Sequence, residues 1–336
     1  MSFDASQLTV AELRAARSRI AGSTRRTPLL PADSLHELLG HPVALKCENL
    51  QVGGAFKARG AANFVARLPE TERRRGLITY SSGNHGIAVA LAARHAGVPA
   101  VVVMPETAPP VKVARVKELG AELHLAGTTS LERRARAETL RDERGLTIVP
   151  PFDHPWIIAG QSTCGAEILE QMPEVETVLV PVGGGGLLSG IALACGLQSR
   201  GIRVIGVEPE GAAKMSSSLR AGAPVTLPTV GSIADGLLPS RPGDLTFSVA
   251  VRFVHEVITV SDDAIAEAAG LLLRTEHLLV EWSGAAAVAA LLSGRVAHPR
   301  SLTVAVLSGG NVDPAAIIAR ADHPGEALDG SKRPSV

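Results

Sequence analysis

The chain has 336 residues, 46% of them hydrophobic and 3% aromatic, and its 33 basic and 33 acidic side chains balance to a formal net charge of zero. That length allows about two domains with well-built cores, and the charge balance excludes any general attraction to nucleic acid or to an anionic membrane. So few aromatic rings give no stacking platform for single-stranded nucleic acid, and no apolar run approaches membrane-spanning length.

In chain order, Leu8, Leu13 and Ile20 have helical spacing over 5–20, with Gly22 closing the helix, and Arg26-Thr27-Pro28-Leu29 reads as an extended lead-in. Short apolar runs then alternate with helix-like segments. The pattern predicts strands over 43–47, 77–80, 100–104, 122–125, 147–149, 177–182, 203–208, 257–260 and 302–307. Helices are expected over 87–96, 111–119, 131–144, 159–171, 187–200, 262–274 and 284–292. Val101-Val102-Val103 and Val178-Leu179-Val180 are continuous apolar runs, which suits strands covered on both faces, so the expected class is α/β with parallel sheets. A composition break at Pro150-Pro151-Phe152 marks a crossing between domains. The Pro- and Gly-punctuated connection over 226–242 is long enough to suggest function. The tail over 321–336, rich in Pro, Gly and charge, is expected to be disordered. Cys47, Cys164 and Cys195 lack metal-site spacing, and Met1-Ser2-Phe3-Asp4 has no basic region leading into an apolar core. A reducing, cytoplasmic setting follows as the default.

Four stretches carry candidate chemistry. Lys57, in Gly53-Gly54-Ala55-Phe56-Lys57, either carries an aldehyde as a Schiff base or is a solvated lysine at a helix start. The first reading needs an amine that is neutral part of the time, through burial or a nearby cation such as Arg59. Ser81-Ser82-Gly83-Asn84-His85-Gly86 follows a strand and precedes an Ala-rich helix, so it either holds an anion such as a substrate carboxylate or simply caps the helix. Gly183-Gly184-Gly185-Gly186 has the same placement. Four glycines suit a backbone that closely approaches a phosphate. The rival is a dinucleotide fingerprint, Gly184-x-Gly186-x-x-Ser189 with Glu208, in which serine replaces the third glycine. Ser308-Gly309-Gly310-Asn311 again follows an apolar strand, and its hydroxyl faces a heteroaromatic nitrogen or caps the next helix. No HExxH pattern, Gly-x-Ser-x-Gly elbow or Walker Gly-Lys-Ser is present.

Taken together, Gly54-Ala55-Phe56-Lys57-Ala58-Arg59-Gly60-Ala61, Ser81 to Gly86, Pro181-Val182-Gly183-Gly184-Gly185-Gly186-Leu187, Ile233-Ala234-Asp235-Gly236 and Leu307 to Asn311 resemble the threonine dehydratase/serine racemase family, over roughly residues 5–318. The resemblance implies fold type II of pyridoxal phosphate enzymes, related to the tryptophan synthase β chain. It implies a large cofactor domain over 1–77 and 152–320, a small domain over 78–151, and a homodimer.

The same resemblance implies that Lys57 holds the cofactor, with Phe56 beside its ring. Gly183, Gly184, Gly185, Gly186 and Leu187 would give amides to the phosphate, Asn84 would bond the 3-oxygen, Ser308 the pyridine nitrogen, and Gly236 and Glu281 would also line the cofactor. Ser81, Ser82, Gly83, Asn84 and His85 would surround the substrate carboxylate, and Asp235 the β-hydroxyl. A serine on the pyridine nitrogen does not enforce a full pyridinium charge, which favours prompt elimination. The implied reaction is loss of water and ammonia from a β-hydroxy amino acid, L-threonine or L-serine, giving a 2-oxo acid. Ser82 leaves racemase activity open as the alternative, and a nicotinamide-binding oxidoreductase or a non-catalytic ligand-binding protein is the remote one. The family's divalent-cation site implies a Glu, a carbonyl and a second acidic residue. Glu208 and Ala212 match it, but Lys214 stands at the acidic position, so no metal is expected and the Lys214 ammonium is expected to pair with Glu208. Glu281-Trp282-Ser283 departs from the usual Glu-Pro beside the pocket. With no further domain legible after about residue 320, no C-terminal regulatory module is expected.

Overall fold

The computed structural model describes residues 7–81, 83–197, 201–296 and 302–322. In chain order the elements are α1 (Val10–Ile20), β1 (Leu29–Pro31), α2 (Asp33–Leu39), β2 (Val43–Lys46), α3 (Lys57–Arg67), α4 (Glu70–Arg74), β3 (Leu77–Tyr80), α5 (Asn84–Ala96), β4 (Ala100–Met104), α6 (Pro110–Glu118), β5 (Glu122–Leu125), α7 (Ser130–Arg144) and β6 (Thr147–Ile148). They continue with α8 (Pro155–Gln171), β7 (Thr177–Pro181), α9 (Gly186–Gly196), β8 (Arg203–Pro209), α10 (Lys214–Ala221), α11 (Asp244–Phe253), β9 (Glu256–Val260), α12 (Asp262–Thr275), α13 (Trp282–Leu292), β10 (Thr303–Val306) and α14 (Pro314–Asp322).

Two sheets result. One has the order β1-β2-β10-β7-β8-β9 and the other β5-β4-β3-β6. All pairings are parallel except β1 with β2, where Leu29 faces Lys46. This antiparallel edge is the one departure from the all-parallel expectation, and it grows from the extended segment after Thr27-Pro28. The continuous apolar runs behave as expected, because β4 and β7 are buried along their whole length between helices on both faces. Leu179, Ile205 and Ala305 face one core with α12 and α13, while Val178, Val180 and Val304 face another with α8 and α9. Helix α3 packs Ala61, Phe64 and Val65 against Leu77, Val89 and Ile157, so it is wedged among α5, β3 and α8. From residue 323 on, the tail lies outside the described residues.

The strand order positions the chemistry. Strands β2, β10 and β7 are adjacent, so the turns after their C-terminal ends, leading to Lys57, Ser308 and Gly183, emerge side by side. The turn after β3, which carries Ser81 and Asn84, comes from the other sheet.

Candidate active site

Lys57 is the first residue of α3, presented by a turn in which Gly53 and Gly54 have φ of 74° and 73°, a conformation strained for residues with a side chain. A Cβ on Gly54 would also overlap the side-chain oxygen of Asn311. The segment after β10 runs along this turn. Phe56 N–H donates to Ser308 O (3.1 Å), Gly310 N–H to Gly54 O (2.8 Å) and the Asn311 amide to Gly53 O (2.8 Å). Lys57 Nζ donates to Pro151 O at 2.7 Å and lies 5.1 Å from the centroid of the Phe56 ring. Burial pushes its pKa down to about 8, so a useful fraction of the amine is neutral near that pH. Arg59 is not the cause. Its guanidinium is buried and forked onto Glu48 (2.8 and 2.7 Å) and Glu167 (2.7 and 2.8 Å), with Lys46 bound to Glu167 at 2.6 Å, so its charge is compensated.

The glycine run links β7 to α9. Gly185 is a left-handed N-cap and no side chain caps α9, which leaves the first helical amides without intrahelical acceptors and suited to an anion. Close packing explains the glycines. A Cβ on Gly184 would overlap the Phe152 ring, and one on Gly183 would lie 2.8 Å from Gly236 O. The loop is held from behind, because Thr246 Oγ1 donates to Gly184 O at 2.8 Å while Asp153 accepts from the N–H groups of Asp244, Leu245 and Thr246 at 3.0 to 3.1 Å.

From the other sheet, Gly83 N–H donates to Ser81 Oγ at 3.0 Å, and Asn84 opens α5. The Asn84 amide donates to Glu281, and its oxygen accepts from Asn311 at 2.9 Å. Ser82 lies outside the described residues. His85 is buried and its Nε2 bonds Val149 O at 3.1 Å. A carbonyl only accepts, so Nε2 carries the proton. Burial, with Lys57 nearby, pushes the His85 pKa down to about 3, so the ring is neutral and Nδ1 is an acceptor. His85 therefore has no donor to offer a carboxylate.

One residue that sequence reasoning missed joins the two sheets. Lys112, 2% exposed on α6, reaches Asp235 Oδ2 at 2.6 Å and Glu281 Oε2 at 3.2 Å. Burial alone would lower its pKa, but Glu281 and Asp235 outweigh that and hold it above the ordinary lysine value. Burial raises the Glu281 carboxyl. A signal was present: Lys112, Val116 and Leu119 share helical spacing, which puts a lysine on an apolar face.

A cavity of about 1590 Å³ gathers these groups, with Phe56, Lys57, Ser81, Asn84, His85, Gly184, Asp235, Gly236, Glu281 and Ser308 all on its wall. Much of the 226–242 connection also lines it. Gly183, Gly185 and Gly186 stand behind Gly184, and the Leu187 side chain belongs to the core. Trp282 is also core rather than pocket, packed with the α12 and α13 side of the larger sheet.

A family model described as "Pyridoxal-phosphate dependent enzyme" matches residues 20–309. The chain belongs to this family. Its relatives include an L-threonine ammonia-lyase of Geobacter sulfurreducens, 44% identical over 301 residues, covering 90% of this chain and 75% of that one. Among solved structures, maize serine racemase superposes with a TM-score of 0.89 at 38% identity, covering 93% of this chain and 96% of that one. The T.th. threonine deaminase gives 0.86 at 42% identity, covering 91% and 99%. The two-sheet architecture is fold type II of the pyridoxal phosphate enzymes.

The residues fit the cofactor of this family. An amine with a pKa near 8 suits an aldehyde, and an uncapped helix start behind four glycines suits a phosphate. Asn84 keeps one N–H beyond its bond to Glu281. Ser308 is buried on the wall and, among the described residues, its hydroxyl makes only a long, 3.4 Å contact to Ser283 O, whereas the Gly236 amide is already committed to Ser283 Oγ at 2.9 Å. The divalent cation implied by the family resemblance does not fit. Lys214 is fully buried beside Glu208 (3.1 Å), with its Nζ donating to Val182 O (2.7 Å), Leu237 O (2.9 Å) and Ala212 O (3.2 Å). An ammonium at that point repels a second cation.

Proposed function

We propose that this pyridoxal phosphate enzyme is an ammonia-lyase that removes water and ammonia from a β-hydroxy amino acid, L-threonine or L-serine, to give a 2-oxo acid. The observation that carries the reading is a single cavity holding a lysine amine of lowered pKa, a glycine cradle at a helix start, and a carboxylate, Asp235, held by Lys112. Pyridoxal phosphate, when bound, supplies an electron sink that acidifies the Cα–H of the amino acid. Gly183 to Leu187 hold the phosphate group through their amides. Phe56 packs along the ring, and Asn84 and Ser308 orient it. Lys57 Nζ accepts the α-proton, which its partly neutral state at pH 8 permits. Asp235, an acceptor anchored by the buried ammonium of Lys112, takes a hydrogen bond from the β-hydroxyl and so sets the geometry for its departure. The hydroxyl departs as water with a proton that the α-proton taken up on Lys57 Nζ balances, and a second water later replaces nitrogen at the α-carbon, so L-threonine yields 2-oxobutanoate and ammonium. Relatives named for threonine ammonia-lyase and threonine deaminase support the substrate class.

Incubation with L-threonine and L-serine, followed by assay for 2-oxobutanoate and pyruvate, tests the reading. Absence of a 2-oxo acid from every β-hydroxy amino acid tried would refute it. Similarity to serine racemases, at 40% identity for the Oryza sativa protein, favours racemisation as a second activity, which chiral analysis of serine after incubation measures. We further propose that the enzyme works as a homodimer, as its family resemblance implies, and in the cytoplasm, where its three free, buried cysteines would stay reduced. Sedimentation and cell fractionation address these two points.

A further inference from the structure

Outside the cavity stands Lys214, which the proposed reaction does not use. Its side chain is fully buried, yet four oxygens surround Nζ: Val182 O at 2.7 Å, Leu237 O at 2.9 Å, Glu208 Oε1 at 3.1 Å and Ala212 O at 3.2 Å. Oxygen-only surroundings of this kind are those of a bound cation. Burial lowers the Lys214 pKa while Glu208 opposes that shift; as an ammonium, its three N–H groups match the three carbonyls and its charge faces the Glu208 carboxylate. Glu208 in turn accepts from Met215 N–H (2.8 Å) and Ser216 N–H (3.0 Å), which fixes its carboxylate at the start of α10.

Two of the acceptors explain why this matters for the site. Val182 is the residue immediately before the glycine cradle, and Leu237 follows Asp235 and Gly236. The two segments also lie close together, since a Cβ on Gly183 would come within 2.8 Å of Gly236 O. Lys214 reaches both backbones from outside the cavity.

We propose that Lys214 is a tethered cation that clamps the phosphate-binding glycine loop to the Asp235 segment, so that this enzyme carries its structural cation in its own chain and gains nothing from an added divalent metal. Lys214 is on this view a positioning residue. The proposal rests on the glycine loop holding the phosphate of pyridoxal phosphate, and is independent of which amino acid is consumed.

The test uses full-length protein without substrate and reads pyridoxal phosphate affinity together with the thermal unfolding midpoint. In the natural protein, chelation followed by magnesium should leave both unchanged, and a rise in either with magnesium would overturn the proposal. Lys214→Met keeps the alkyl volume without the charge, and it should weaken cofactor binding roughly tenfold, with no recovery in ammonium chloride because the space is filled. Lys214→Ala should weaken binding likewise and recover in ammonium chloride, which enters the vacated oxygen cage. A Met variant that binds the cofactor as tightly as the natural protein, or an Ala variant equally weak with and without ammonium, would count against the clamp. Should neither variant fold, the magnesium arm on the natural protein decides. Because no substrate is present, failure here is distinguishable from failure of the lyase reading, which the 2-oxo acid assay alone reports.

Discussion

Replacing Lys112 by methionine preserves most of the buried alkyl volume and deletes the charge that two carboxylates share. Lys112 Nζ lies 2.6 Å from Asp235 and 3.2 Å from Glu281. Removing one partner of a buried ion pair costs roughly 3–5 kcal/mol. The Asp235 side chain keeps 27% exposure to the cavity and can be hydrated there, which puts the expected loss near about 3 kcal/mol at pH 8. The loss depends on pH through Glu281, whose carboxyl burial already raises from an ordinary value of 4.5, with Lys112 the largest opposing influence. Without Lys112 the rise is larger. A carboxyl group with a folded pKa above its unfolded one makes the native state bind more protons than the unfolded chain between those two values, so stability falls as pH rises through that window. Every further tenfold tightening of proton binding in the folded state is worth about 1.4 kcal/mol once the pH has passed the upper value. Urea unfolding of both proteins at pH 5 and pH 8 measures this. The gap between natural protein and variant should be wider at pH 8 by more than about 1 kcal/mol, with a raised KM for L-threonine. Equal gaps at the two pH values, or no gap at pH 8, would refute the reasoning.

Because burial lowers the Lys57 pKa to about 8, the rate at which apo-protein captures pyridoxal phosphate should climb as pH rises through about 8, followed by absorbance; a midpoint above pH 10 would contradict a buried amine. Gly184→Ala drives a methyl group into the Phe152 ring, and overpacking of about 1–3 kcal/mol should weaken cofactor binding on the order of tenfold or more. A second change, Phe152→Ala, should restore much of that loss in a fluorescence titration. Arg59→Leu leaves Glu48 and Glu167 buried without their shared partner, and a loss of roughly 3–5 kcal/mol in urea unfolding is expected.

The parts of the site that were legible in the sequence are those whose chemistry is local. A lysine behind two glycines, a glycine run at a helix start and serine turns after apolar strands each announce themselves within a few residues, and the strand order then brings them together. What stayed hidden depends on long-range pairing. Lys112 meets Asp235 and Glu281 from the other sheet, and no local rule names partners that distant. Arg59 looked like a cation that could depress Lys57, but Glu48 and Glu167 compensate it. His85 looked like a carboxylate neighbour, yet its proton is committed to Val149 O. Lys214 was legible only as a partner for Glu208, while the carbonyls of Val182 and Leu237 that complete its surroundings come from turns whose backbone direction the sequence does not specify. The short edge strand β1 escaped because three residues after a proline carry no alternation to read.

The same geometry links ligand binding to the placement of the two sheets. Around the cavity the sheets meet through polar contacts: Asn84 with Asn311 and Glu281, and Lys112 with Asp235 and Glu281. Asn84 and Asp235 are also the groups assigned to the cofactor 3-oxygen and the substrate β-hydroxyl. A ligand that bonds either one redistributes the hydrogen bonds that hold α5 and α6 against the larger sheet. Binding free energy and sheet placement are then coupled, and the coupling is reciprocal. Any change that loosens the Lys112 contacts is therefore expected to alter ligand binding, even though Lys112 itself is assigned no contact with cofactor or substrate.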